Sequence, residues 1–255
     1  MNKKEILNRA LSLQASGELY PHGDMELDDL FDGSIDRFCD IAFKLQNAVR
    51  ILDVGAGHGM LSSLLSSLGH ECHAVDFFDQ TEKYPDAYRK KFISFQKCNV
   101  EIDPLPFADE FFDGVVCCQV LEHFTHSHLP AVKEMRRVLK AGGILEIDVP
   151  NAVCFHNRSR MIRGKHITFD YAEHYLHAVP ESCNGMSFYP ARHNREFTKN
   201  ELQLLLKEAG FQHIDITFLK SRRYRKGLER MRSIGSALRD GIPSFRKSLI
   251  AFAEK

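Results

Sequence analysis

The feature that most constrains this chain is a glycine-rich turn directly after a short apolar run. Residues 51–59 read ILDVGAGHG, with Gly55, Gly57 and Gly59 at alternate positions and Asp53 two places before the first of them. This pattern predicts a buried strand that ends in a tight turn and opens a helix. Glycines suit such a turn because they adopt a positive φ readily and let a ligand approach the backbone.

The spacing separates this turn from a dinucleotide-binding turn. The latter reads G-x-G-x-x-G and holds a pyrophosphate at the helix N-terminus, whereas here the third glycine comes one residue early. The run also carries its own acid, Asp53, at the end of the strand. A carboxylate in that place favours a cationic or amino-bearing ligand over a pyrophosphate.

At these residues the chain resembles the class I S-adenosylmethionine-dependent methyltransferases, whose first motif is an acid, any residue, and then glycines at alternate places. The match covers Asp53, Gly55, Gly57 and Gly59. The resemblance implies that S-adenosylmethionine is the cofactor. It also implies that these residues, together with Ala56, form the cofactor-binding turn.

The residues after the turn predict a helix and a second strand. Residues 60–68 are apolar at helical spacing, and Gly69 stands where a helix would end. The run CHAVDFFD then predicts a strand ending at Asp76, where a carboxylate can accept hydrogen bonds from both ribose hydroxyls. The resemblance gives Asp76 this role and puts Phe77 beside the adenosine. The alternative is that Asp76 only caps a turn.

Further along, the chain continues to match the family in order. Three strand-like runs follow, at residues 92–98, 112–118 and 144–149. In the family, the polar residue and the apolar residue after the third strand flank the adenine, and here these are Asn99 and Val100. Many members have Asp at the first position, but an amide can also accept from the adenine amino group. The resemblance also places Gln119, after the fourth strand, at the cofactor.

Strand-like runs that alternate with helices indicate an α/β fold. QHIDITFL and KSLIAFAEK are expected to be the last two strands. With the resemblance, the prediction is a doubly wound, Rossmann-like, mostly parallel seven-stranded sheet with helices on both faces and an antiparallel last strand. One methyltransferase domain over 1–255 is expected. Its parts are N-terminal cap helices (1–48), a cofactor-binding core (49–150), an inserted acceptor or lid segment (152–195) and a C-terminal helix with two strands (196–255).

Composition excludes several classes of function. The formal net charge is zero, so no overall field favours nucleic acid as a partner. No apolar run is long enough to be a signal peptide or to span a membrane, which predicts a cytoplasmic protein. The seven cysteines are scattered and lack C-x-x-C spacing, so free thiols are expected rather than disulfides or zinc. The oligomeric state stays open.

One stretch departs from this even balance of charge. Residues 220–247 contain ten Lys or Arg and only two acids, Glu229 and Asp240. The simpler interpretation is a solvated surface. The alternatives are contact with an anionic substrate, a peripheral contact with a phospholipid surface, or contact with nucleic acid, for which the few aromatic residues of the stretch give little support.

The methyl acceptor is expected to lie beyond the carboxyl ends of the strands, covered by the N-terminal helices and by residues 152–195. A run there resembles methyltransferases of polysaccharide and glycolipid biosynthesis, and relatives that act on quinone precursors share much of it. Its matching residues are Arg192, His193, Arg195, Glu196, Phe197 and Thr198. The resemblance implies a small-molecule or glycan-like, lipid-linked acceptor.

Methylation at oxygen is predicted, and a hydroxyl acceptor benefits from a base. His123, in the run LEH, is the first candidate for this base, and His193 and Tyr171 are the others. His123 could equally be a histidine that packs or caps a helix start.

A metal is the less favoured prediction for this part of the chain. His126 and His128 lie close to His123 in the sequence. Some relatives in quinone pathways bind a divalent ion through an E-x-x-E-H run. Gln119 stands at the first acid of that run, so no metal is predicted.

Two other functions are weighed against methyl transfer. A catalytically silent protein that binds S-adenosylmethionine and supports another protein would carry the same motifs. An NAD-dependent reductase is disfavoured, because G-x-G-x-x-G is absent and Asp53 precedes the glycines.

Overall fold

A seven-stranded sheet forms the centre of the molecule. The computed structural model describes residues 1–20, 22–79, 81, 93–168, 170–220 and 241–255. The strands of the sheet are β1 (Arg50–Val54), β2 (Glu71–Asp76), β3 (Ser94–Lys97), β4 (Phe112–Cys118), β5 (Leu139–Pro150), β8 (Gln212–Phe218) and β9 (Ser248–Glu254). Their order is β3-β2-β1-β4-β5-β9-β8. β1 to β5 pair in parallel, and β9 runs antiparallel to both of its neighbours, so the predicted fold class is confirmed.

Helices cover both faces of the sheet. They are α1 (Lys3–Ala15), α2 (Met25–Lys44), α3 (Met60–Ser67), α4 (His128–Val138), α5 (Phe155–Ile162) and α6 (Lys199–Glu208). Buried residues of α1, α2 and α3 form one apolar core with one face of the sheet, and those of α4 and α6 form a second core with the other. The near-continuous burial of β1 follows from this cover on two sides.

Local signals account for several helix boundaries. Asn2 and Thr198 each accept from backbone N–H groups of the first turn, while Glu5 and Glu201 reach back to the cap residues. These are the two reciprocal bonds of a capping box, and the spacing T-x-x-E of residues 198–201 is its sequence signature. α3 begins after Gly59, whose φ of 69° is left-handed.

The chain after β4 differs from its prediction. If His123 capped a helix start, a helix would begin at the run LEH, but Leu121–His123 is a single 3-10 turn and the helix α4 begins only at His128. Gln119 has a φ of 55°, in the left-handed region that a non-glycine residue rarely takes. The chain therefore turns sharply at the sheet edge before it can enter a helix.

The segment 152–195 is more ordered than a loop. Besides α5 it contains a π-helical turn (Ala172–Leu176) and a hairpin of β6 (Glu181–Cys183) with β7 (Met186–Phe188). Of the basic stretch 220–247, residues 221–240 lie outside the described residues. Within the described ranges, none of the helices combines the length and apolarity that crossing a bilayer requires.

Candidate active site

The glycine turn after β1 has the backbone shape that its residues predict. Gly55, Gly57 and Gly59 have φ values of 75°, 50° and 69°. A Cβ on Gly55 would overlap Cγ2 of Val120, whereas a Cβ on Gly57 would meet no atom within 4 Å. Gly55 is thus required by the packing of the protein itself, and Gly57 leaves open space at the turn.

Asp76 joins this turn to the end of β2. Its carboxylate accepts hydrogen bonds from the N–H of Gly57 and the N–H of Phe78, both at 2.9 Å. The side chain is nearly buried, and burial raises the pKa of its carboxyl above the ordinary value. Asp76 therefore does cap a turn, and it also faces the neighbouring cleft.

A cleft of about 700 Å³, part of it open to solvent, lies at the carboxyl ends of the strands. It brings together seven of the residues predicted for the site: Gly55, Asp76, Phe77, Asn99, Val100, Gln119 and His123. Asp53, Ala56, Gly57 and Gly59 belong to the strand end and the turn beside it. Glu101, Phe124, Phe188 and Pro190 complete much of the wall.

Asn99 presents an unsatisfied donor at this cleft. Its Oδ1 accepts from the N–H of Glu101 at 3.2 Å, while its buried Nδ2 has no partner within the described part of the chain. A buried amide donor left unpaired costs free energy. A planar base with a ring nitrogen acceptor would satisfy it.

His123 is the candidate base that the structure places in the cleft wall. Its Nδ1 lies 3.0 Å from the carbonyl oxygen of Arg192. Since a carbonyl only accepts, Nδ1 carries the proton and Nε2 is left as the acceptor. Burial, and secondly the neighbouring His193, lower the pKa of His123 below its ordinary value, so that the ring is neutral at pH 7.

The other two candidate bases occupy different positions. The ring of His193 meets that of His123 edge-on, with 5.0 Å between centroids, and its Nδ1 lies 3.6 Å from a carboxylate oxygen of Glu196. Tyr171 is 70% exposed and stacks on Tyr175, whose hydroxyl donates to the carbonyl of His193. The structure thus brings His193 to the site and leaves Tyr171 outside it.

Comparison with known proteins gives a family match over part of the chain. Residues 52–147 match the model of the family described as a methyltransferase domain. A mitochondrial ubiquinone biosynthesis O-methyltransferase from Mus musculus is 32% identical over 111 residues, which cover 41% of this chain and 30% of that protein. A malonyl-[acyl-carrier protein] O-methyltransferase from Erwinia pyrifoliae is 38% identical over 98 residues, or 38% of this chain and 36% of the relative. The chain spans about a third of the length of such curated relatives.

A solved structure extends the similarity of the fold to the whole chain. It is the 1,6-didemethyltoxoflavin-N1-methyltransferase of Burkholderia thailandensis with bound 1,6-didemethyltoxoflavin and S-adenosylhomocysteine. The TM-score is 0.56 at 20% identity, covering 100% of this chain and 91% of the other. Residues 52–147 thus match a methyltransferase domain, and the fold of the chain is that of S-adenosylmethionine-dependent methyltransferases. S-adenosylmethionine is the cofactor of those methyltransferases, which agrees with the cofactor that the sequence resemblance implies.

The residues of the cleft fit that cofactor. The unpaired donor of Asn99 suits adenine, the carboxylate of Asp76 has lone pairs left for ribose hydroxyls, and the space above Gly57 admits a ligand against the backbone. Phe77 and Val100 supply apolar surface on the cleft wall.

Asp53 lies beneath the glycine turn rather than on the cleft surface. It is 3% exposed and accepts a hydrogen bond of 2.6 Å from the hydroxyl of Ser62, on α3. Burial raises the pKa of Asp53 to about 6, against the bond from Ser62, which lowers it. A carboxyl with a raised folded pKa stabilises the protein below its unfolded pKa of about 4, and that stability is lost as the pH rises through about 6.

We expect Asp53→Asn to stabilise the cofactor-free protein at pH 7.5. The amide keeps the acceptor for Ser62 but carries no buried charge, and the difference in the free energy of unfolding should be on the order of 2–3 kcal/mol. Urea denaturation at pH 7.5 and pH 4 measures it, and the difference should shrink at pH 4. Asp215→Asn, on the exposed side of β8, is the control and should change neither value. A lower free energy of unfolding for Asp53→Asn than for wild type at pH 7.5 would contradict the raised pKa of Asp53.

The three histidines that the sequence groups together have different partners. His126 Nδ1 lies 2.7 Å from Glu101, and His128 Nε2 lies 3.0 Å from the carbonyl of Leu121. A different donor group forms instead, in which atoms of Glu122, His123 and His193 lie within 4.8 Å of one another. Burial raises the pKa of Glu122 well above its ordinary value, and a protonated carboxyl is a poor metal ligand. That the protein uses no metal stays a prediction.

Phe188 and Glu101 are among the residues of the cleft wall that sequence reasoning missed. Phe188 comes from β7 and packs against Phe77, with 5.9 Å between ring centroids. Glu101 bonds the backbone N–H and the ring of His126. Position after the third strand could have indicated Glu101, two residues beyond Asn99, but no local signal marks Phe188.

Proposed function

We propose that this methyltransferase transfers the methyl group of S-adenosylmethionine to a hydroxyl oxygen of a small-molecule acceptor, with His123 as the base. The observation that carries the proposal is the contact between His123 Nδ1 and the carbonyl of Arg192. This contact favours the tautomer in which Nε2 is the acceptor nitrogen, and His123 lines the cleft beside the cofactor residues.

S-adenosylmethionine supplies an activated methyl group on its sulfonium. The protein then has to hold the acceptor oxygen in line with that methyl, exclude water and remove one proton. Nε2 of His123 accepts the proton of the hydroxyl as the oxygen–carbon bond forms and the carbon–sulfur bond breaks. The proton stays on the imidazole until solvent takes it.

The wall of the cleft around His123 favours a compact, largely apolar acceptor. Phe124, Val120 and Pro190 contribute apolar surface there, and His123 contributes a polar group. Such a lining suits an aromatic ring that bears a hydroxyl. The related Mus musculus protein, by its name, acts in ubiquinone biosynthesis.

The Arg-rich run that motivates a glycan-like acceptor is largely engaged within the protein. The guanidinium of Arg192 lies 3.8 Å from the ring centroid of Tyr189 and donates to Asn194. Arg195 pairs with Glu201 of α6. These contacts favour a supporting role for the run, so the glycan-like, lipid-linked acceptor is the second candidate.

Part of the segment 152–195 is proposed as a cover over the cofactor. Phe188 of the hairpin packs on Phe77, and the side chain of Asn184 in its turn donates to Asp103 at 3.2 Å. Both contacts lie near the residues assigned to adenosine. We therefore propose that the hairpin closes the adenosine end, while α2 and the residues around His193 border the methyl end.

A panel of acceptors tests the proposed function. The protein is incubated with S-adenosylmethionine and dihydroxybenzoates, aromatic amines, malonyl thioesters or oligosaccharides, and mass spectrometry follows S-adenosylhomocysteine and methylated product. We expect transfer to a phenolic hydroxyl and none with a matched methyl ether. Transfer only to oligosaccharides would favour the glycan candidate. Binding of S-adenosylmethionine without methyl transfer to any acceptor would favour a catalytically silent protein that supports another protein. A thermal shift with NAD but not with S-adenosylmethionine would favour a reductase.

A further inference from the structure

A buried charged pair links the N-terminal helices to the carboxyl end of the sheet. Arg37, on α2, donates from Nη1 to Oδ1 of Asp148 on β5 at 2.9 Å and from Nη2 to the hydroxyl of Ser34 at 2.9 Å. The side chain of Asp148 is fully buried and that of Arg37 is 12% exposed. The two residues are 111 positions apart in the chain.

A second buried carboxyl group lies beside the pair of Arg37 and Asp148. Glu146 lies two residues before Asp148 on the same face of β5 and is also fully buried. Burial raises the pKa of Glu146 well above its ordinary value, and the adjacent Asp148 raises it further. Burial thus disfavours the charged form of Glu146, and the guanidinium of Arg37 contacts Asp148, not Glu146, at 2.9 Å.

Asp148 also holds a residue of the cleft wall. The amide Nε2 of Gln119 donates to the same Oδ1 at 2.5 Å, and the backbone N–H of Gln119 donates to the carbonyl of Asp148 at 3.0 Å. Gln119 lines the cleft and has a left-handed φ of 55°. A non-glycine residue keeps such a conformation only where its surroundings fix it. Val120, the next residue, packs against Gly55 of the cofactor turn.

We propose that Arg37 is a positioning residue, which orients the carboxylate of Asp148 so that Asp148 holds Gln119 in its place at the cofactor cleft. Arg37 itself does not line the cleft and acts through the other two residues. The N-terminal helix α2 is thereby part of the cofactor site. This inference rests on the proposed function only in that the cleft binds S-adenosylmethionine or its product.

A double-mutant cycle on the affinity for S-adenosylhomocysteine tests the proposal. Isothermal calorimetry is done on wild type, Arg37→Met, Gln119→Ala and the double variant. We expect each single change to raise the Kd for S-adenosylhomocysteine about tenfold. The Kd of the double variant should be no higher than the higher of the two single-variant values. If the double variant raises Kd by the product of the two single-variant factors, or if Arg37→Met leaves Kd unchanged, the positioning role is overturned.

A matched control separates this role from a general effect on α2. Lys3→Met removes the ion pair between Lys3 of α1 and Asp40 of α2, which is 2.6 Å long and lies at the surface. We expect it to leave Kd unchanged. If Lys3→Met weakens binding of S-adenosylhomocysteine as much as Arg37→Met does, the loss of affinity comes from altered packing of α2 and the proposal fails.

A conservative variant covers the case in which Arg37→Met does not fold. Arg37→Lys keeps the buried charge, but a single ammonium cannot reproduce the two-pronged contact with Asp148 and Ser34. Arg37→Lys should raise the Kd for S-adenosylhomocysteine in the wild-type background and leave it unchanged in the Gln119→Ala background. An equal rise of Kd in both backgrounds would refute the positioning role of Arg37. Wild type that fails to bind S-adenosylhomocysteine would overturn the proposed function as well, whereas tight wild-type binding with indifferent Arg37 variants overturns only this inference.

Discussion

His123→Gln should lower kcat by about 10²–10⁴-fold, the range for loss of a general base, while the affinity for S-adenosylhomocysteine stays as in wild type. Glutamine can occupy the space of the ring and bond the carbonyl of Arg192, but it cannot accept a proton from a hydroxyl. Because the pKa of His123 is lowered, kcat/KM in wild type should fall only as the pH drops below about 6.5. The variant should lack that acid limb.

His128→Gln is the matched control for this prediction. His128 is also a half-buried histidine bonded to a backbone carbonyl, that of Leu121, and burial lowers its pKa in the same direction. It does not line the cleft, so we expect its substitution to leave kcat and the acid limb as they are. Equal rates for His123→Gln and wild type would remove His123 as the base and turn attention to His193.

Gly57→Val and Gly55→Ala should fail in opposite ways. The Cβ at position 57 meets only open space, so Gly57→Val should fold, with a loss of about 1–2 kcal/mol from its left-handed φ, and should block the approach of the cofactor. The Cβ at position 55 overlaps Val120, so Gly55→Ala should lose about 2–4 kcal/mol of stability in the absence of any ligand.

Thermal unfolding with and without S-adenosylhomocysteine distinguishes these two outcomes. At a hundred times its Kd the ligand should stabilise wild type by about 2.7 kcal/mol and Gly57→Val not at all. Gly55→Ala should begin from a lower melting temperature. A normal ligand shift in Gly57→Val would mean that the cofactor does not pass over this turn.

The parts of the site that the sequence predicts depend on short-range geometry. Asp53, Gly55 and Gly57 belong to one strand and its turn, and Asp76 ends the next parallel strand, so strand order alone brings them to one edge. Asn99 and Gln119 follow two further strands in the same way. In each case the distance from the strand end fixes the position of the residue.

The parts that the sequence does not predict depend on contacts between distant segments. The pairing of Arg37 with Asp148 requires α2 to pack over the end of β5, and no spacing in the chain encodes that angle. Phe188 reaches the cleft only because a hairpin folds back from the segment after β5. Tyr171 was a candidate on residue type alone, and its exposure shows how little residue type decides within a long insertion.

The order of strands also sets an order of assembly during synthesis. β8 is made before β9, yet it joins the sheet only through β9, which lies between it and β5. Until residues 248–254 leave the ribosome, β5 presents a bare hydrogen-bonding edge whose buried residues include Ile147 and Val149, and β8 has no partner strand. Bare apolar edges invite pairing with other chains, so we expect nascent molecules to be open to aggregation and to chaperones at this step.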